Sequence, residues 1–148
     1  MFFCACISKE NKIANLPNFE LKIIRTFHNP IIFKYDSYSN ELIGIVYSGR
    51  GGFIWGKINY ENKKELDQKE MHELLALLNS LDINKLMEKE MIFGDDGSSW
   101  ELIIGKNAVI SKWTPTTETN KRNLQSYVAI GKYLWKITGI KENIKEIY

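Results

Sequence analysis

From residue 19 onward, apolar and polar positions alternate in short runs separated by turn residues. Phe19, Leu21, Ile23 and Phe27 share one face of a run from Phe19 to Phe27, with Arg25 as the exception. This two-residue period predicts a strand. His28-Asn29-Pro30 is turn chemistry, and Ile31 to Tyr35 predicts the next strand. After the polar stretch Asp36 to Asn40, Leu42 to Tyr47 is almost wholly apolar, which predicts a strand inside the sheet. Ser48 to Gly52 is glycine-rich, and Phe53 to Tyr60 reads as a further, irregular extended segment.

The period then changes. Met71, Leu74, Leu75, Leu78 and Leu81 recur at helical spacing, and Leu77 widens the stripe. Asp67 and Glu70 have the spacing of a capping box, with Leu66 and Met71 placed as a hydrophobic staple. A helix is expected over residues 67–81, with a short helical turn within 83–90.

Residues 94–115 contain a polar, glycine-flanked loop, two strand-like runs and a closing Pro115. With Lys106-Asn107 as a two-residue turn, Trp100 would face Trp113, Leu102 would face Ser111 and Ile104 would face Val109. Glu101 would face Lys112 on the other, exposed side. Aromatic and opposite-charge pairs directly across a ladder add about 0.2–1 kcal/mol each. Trp100, Leu102, Ile104, Val109 and Trp113 should therefore meet the helices. A final helix is expected over residues 121–138. Leu124, Tyr127, Val128, Gly131, Leu134, Trp135 and Thr138 lie on one face of it, and Gly139 suits its end.

The order ββββ-α-ββ-α predicts an α+β fold, an antiparallel sheet with two amphipathic helices packed on one face. At 148 residues, a single domain over residues 19–148 is expected, preceded by a tail over residues 1–18. Hydrophobic residues make up 44% of the chain, a folding composition. The 20 basic and 18 acidic residues are interleaved, with no basic block. That argues against a nucleic-acid partner. No apolar run reaches transmembrane length, so no transmembrane segment is expected.

Both cysteines, Cys4 and Cys6, lie in the first six residues. Two thiols do not make a metal site. Phe3-Cys4-Ala5-Cys6 resembles a truncated lipobox, with Cys6 as the lipidated residue and residues 8–15 as a polar tether. A signal also needs a basic region and a longer apolar stretch. If the true start lies upstream, a lipid anchor at Cys6 and a bacterial cell-envelope location, lipoprotein or periplasmic, are expected. As written, the chain reads as cytoplasmic.

Candidate chemistry is sparse. Gly51 to Lys57 fits the first seven positions of a phosphate-binding loop. Ile58 stands where the metal-binding hydroxyl belongs, and bulky apolar residues fill the cradle. Asp95, Asp96 and Glu101 are the carboxylates clustered near glycines and hydroxyls. Asp95-Asp96-Gly97-Ser98 has oxygen ligands for a hard cation but lacks EF-hand spacing. A turn bonded to its own backbone is the favoured reading. His28 and His72 have no nucleophile near them in sequence. No cofactor, metal site or catalytic residue is expected. Arg50, Phe53 and Trp55 belong to residue types enriched at interface hot spots, and Trp55, among glycines, is the best candidate for exposure.

Gly51-Gly52-Phe53, Gly56, the run Asp96-Gly97-Ser98-Ser99-Trp100-Glu101-Leu102 and Trp113-Thr114-Pro115, followed by an amphipathic helix, together resemble a family of small uncharacterised bacterial proteins. Its members look like secreted or lipoprotein-anchored single domains. The similarity spans roughly residues 45 to 139. The chain departs from the family pattern at Val109 and Ile110, where an aromatic–histidine pair is usual. The resemblance implies an envelope location and no particular activity. The expectation is a non-catalytic domain that binds another protein, of immunity type, through Arg50, Phe53, Trp55, Asp95 and Asp96. The alternative is an envelope enzyme or metal-dependent hydrolase using Asp95, Asp96 and Glu101.

Overall fold

The computed structural model describes residues 15–92, 94, 96–106 and 108–141. Residues 1–14 of the expected tail, with Cys4 and Cys6, Asp95, and Asn107 of the expected turn lie outside the described residues; Leu16, within the expected tail, is buried in the core. Six strands form one sheet: β1 (Phe19–Arg25), β2 (Ile31–Asp36), β3 (Glu41–Arg50), β4 (Phe53–Glu65), β5 (Ser98–Ile104) and β6 (Ala108–Trp113). Their spatial order is β4-β3-β2-β1-β5-β6, and every neighbouring pair is antiparallel. Three helices join them: α1 (Gln68–Asn79), α2 (Ile83–Leu86) and α3 (Gln125–Thr138). The architecture is α+β, and the chain order of strands and long helices is the expected one.

The longer helices lie on one face of the sheet. That face carries Phe19, Leu21 and Ile23 of β1, Ile31, Phe33 and Tyr35 of β2, and Trp100, Leu102 and Ile104 of β5, all buried. α3 crosses the strands. Near its start Tyr127 meets β5 and β6, its hydroxyl 2.9 Å from the Trp100 carbonyl and 3.2 Å from that of Ile110. At mid-helix Gly131 lies against Trp100. Trp135 then meets Phe33 edge-on at 6.2 Å, and Asn62 of β4 donates to the Thr138 carbonyl. Gly139 ends the helix with φ 63°, the left-handed conformation open to glycine. α1 packs beside α3, and its Leu74 and Leu78 are buried in the shared core. Its capping box forms in full. Asp67 accepts from the Glu70 amide at 2.8 Å, and Glu70 accepts from the Asp67 amide at 3.1 Å.

Three expectations are corrected. The first strand stops at Arg25, which turns inward and is buried, while Phe27 is exposed. The Arg25 guanidinium donates twice to the Asn29 carbonyl, at 3.1 and 2.6 Å, and closes the turn at residues 26–30. The last helix begins at Gln125, not Lys121. Asn123 has a left-handed φ of 54°, which a continuous helix does not admit.

The largest correction concerns the β5–β6 register. Trp100 pairs with Lys112, Leu102 with Ile110, and Ile104 with Ala108. This is one residue away from the Trp100–Trp113 register, so every β6 side chain changes face. Trp113 and Val109 leave the helix side, and Ile110 and Lys112 enter it, both buried. The turn that begins at Gly105 sets this parity: Ile104 pairs with Ala108 beyond it, and the Gly105 amide donates to the Asn18 carbonyl at 2.8 Å. The two pairs that favoured the other register find partners elsewhere. Glu101 meets Lys22 of β1 at 3.2 Å. Trp113 packs on the loop before β5, where a Cβ built at Gly97 would stand 3.1 Å from its ring. Neither pair is then left to select the register.

Candidate functional site

Arg50 and Phe53 pair across a two-residue turn, Gly51-Gly52. Both glycines have positive φ, 66° and 82°. That is the backbone of a primed turn, whose twist matches the flanking strands. The Gly51 amide also donates to the Thr26 carbonyl at 2.7 Å, tying the hairpin to the β1–β2 connection. The tip of the β3–β4 hairpin is therefore anchored at its turn.

Beyond the turn, β4 does not follow β3 evenly. Four steps along β3, from Val46 to Arg50, are matched by seven along β4, from Tyr60 to Phe53. β4 thus carries three surplus residues, and Gly56 within them has φ 81°. Such bulges bend a strand and re-aim its side chains. The result is an apolar run held in water. Phe53 is 71% and Trp55 65% exposed, and Ile54, Ile58 and Tyr60 are exposed with them. Arg50 and Lys57 are exposed in the same stretch, and no carboxylate occurs between Ser48 and Tyr60.

The structure brings Arg50, Phe53 and Trp55 together on this hairpin. Asp96 belongs elsewhere, exposed before β5. Glu101 lies further along β5 on the helix-free face, ion-paired to Lys22, which also meets Glu20 at 3.2 Å. Among the described residues, no group of three or more His, Cys, Asp or Glu side chains could hold a metal ion. Gly51 to Lys57 runs from a hairpin turn into β4, with no helix after it for a phosphate to cap. His28 sits in the turn after β1, and His72 is exposed on α1. Ser98 is buried, and its hydroxyl accepts from the Trp100 indole at 3.0 Å.

A second polar centre carries no local signature in the sequence. Lys112 of β6, Arg122 before α3 and Glu90 after α2 converge. The Arg122 guanidinium is hydrogen-bonded to Glu90 through Nη2 at 2.6 Å and Nε at 3.2 Å. These bonds hold the Glu90 carboxyl below the usual carboxylate range, against the opposing effect of burial, with the Lys112 charge assisting. On α3, burial pushes the Tyr127 phenol far above its ordinary range, and the charge of Glu101 adds to the rise.

The chain matches no family model, and no curated protein matches it at a significant level. Among the described residues, no helix is long and apolar enough to cross a membrane.

Proposed function

We propose that this chain is a non-catalytic binding domain that engages another protein through the tip of the β3–β4 hairpin. The exposure of Phe53 and Trp55 on an anchored turn carries the reading. Contiguous exposed apolar surface of this kind marks contact sites. Tryptophan and arginine are enriched where binding energy concentrates. Arg50 and Lys57 make the tip cationic, so the complementary partner offers an apolar pocket rimmed by carboxylates. The narrower form of the reading has a toxin as the partner, as for immunity proteins. The small scaffold and its presenting hairpin support it.

A photo-crosslinking amino acid at position 55 tests the reading in cells. One discrete protein adduct is expected there and none from position 136, on the exposed side of α3. The adduct should vanish when Phe53→Ser is added. Equal crosslinking from both positions would overturn the reading. So would sedimentation with anionic lipid vesicles that a Phe53→Ser/Trp55→Ser variant abolishes, since the tip would then be a membrane contact.

A further inference from the structure

Where α2, β6 and the start of α3 meet, they line a cavity of about 510 Å³ that opens to solvent. Lys112 and Arg122 both line it, and their side chains are only 3% and 7% exposed. Among the described residues, Glu90 is the one carboxylate within ion-pair reach of either. Arg122 already engages it through two hydrogen bonds. Its other donors go to the carbonyls of Trp113, Thr114 and Thr117, at 2.9, 2.8 and 3.1 Å. That accounts for all of a guanidinium's donors.

Lys112 is different. Its ammonium has three donors, and among the described residues one is used, on the Glu88 carbonyl at 3.1 Å. Glu90 Oε2 lies 3.8 Å away, an ion-pair separation too long for a hydrogen bond. Two buried cations thus share one carboxylate. Asp82 and Glu88 also line the cavity, against Lys85 and Lys89, so among the described residues four cations face three carboxylates there, an excess of one positive charge, with donors to spare on Lys112.

We propose that this cavity binds a small monocarboxylate, with the Lys112 ammonium as its counter-ion. One negative charge balances the excess. A phosphate dianion would overshoot it and meet about twice the repulsion from Glu90 that a monocarboxylate meets. Leu81, Leu86 and Leu124 supply apolar wall, which suits an aliphatic body behind the carboxylate. The inference is independent of the hairpin surface.

Amide NMR on the full chain tests it, with hexanoate, hexanol and inorganic phosphate as probes. Hexanoate should give saturable shifts at the amides of Lys112, Glu90 and Leu124. Hexanol should bind at least about tenfold more weakly, and Lys112→Met should weaken hexanoate by a similar factor. No saturable shift with hexanoate would overturn the proposal, as would equal binding of hexanol or tighter binding of phosphate. Should Lys112→Met fail to fold, the comparison of the three probes on the unaltered chain decides alone.

Discussion

A Cβ built on Gly131 would stand 2.3 Å from Cζ3 of Trp100, so the backbone of α3 rests directly on the β5 indole. The ring cannot readily retreat, being 1% exposed and held through its N–H to Ser98. Gly131→Ala should therefore destabilise the fold, by about 1–3 kcal/mol of overpacking. The better helix propensity of alanine, worth about 1 kcal/mol, offsets only part of this. Urea unfolding measures the difference, and a stabilised variant would show that the indole has room to move.

The β5–β6 register makes a contrast between neighbours. Ile110 is fully buried and Val109 is 50% exposed. Ile110→Ala should cost about 2–5 kcal/mol. Val109→Ala should cost under about 1 kcal/mol, as surface changes do. A reversed ranking in denaturant midpoints would restore the Trp100–Trp113 pairing.

Glu90 sets an acid limb. Its carboxyl is held low in the folded state by Arg122, whereas an unfolded glutamate titrates near about 4.3. The folded state then binds fewer protons, so this stabilisation is present above about 4.3 and is lost as pH falls through the folded value. Urea midpoints should fall on acidification. Glu90→Gln should lower the midpoint at neutral pH and flatten its acid dependence. Parallel acid limbs in the two proteins would remove Glu90 from this role.

Tyr127 sets the opposite limb. Its folded phenol titrates above the unfolded one, so its contribution is complete below about pH 10 and declines as pH rises toward the folded value. Tyr127→Phe should cost about 1–2 kcal/mol at neutral pH by removing a buried hydroxyl bonded to carbonyl oxygen. It should also shallow the alkaline loss of stability. Midpoints measured at neutral and alkaline pH check both parts.

What was legible in the sequence was local. The capping box at Asp67 and Glu70 and the glycine stop at Gly139 depend on spacings of a few residues, and both form as expected. The buried stripe of α3 follows from its period alone. The exposure of Phe53 and Trp55 follows the glycines around them, which leave little side chain nearby to cover an aromatic ring. The β6 register was not legible, because it turns on the parity of one loop and on Lys22, a residue 79 positions from Glu101. The grouping of Glu90, Lys112 and Arg122 was hidden for the same reason. Lys112 read as a surface residue until the register placed it inside.

The surplus residues of β4 bear on crowding as much as on recognition. β4 is an outer strand, where a regular backbone would invite another chain to add itself and continue the sheet. Its bulged half is out of step with any straight neighbour, and its remaining half presents Glu61, Lys63, Lys64 and Glu65. The β4 edge therefore holds greasy side chains in water without offering a regular template on which another strand could add. Self-association at the tip is restricted to side-chain contact, which dilution reverses.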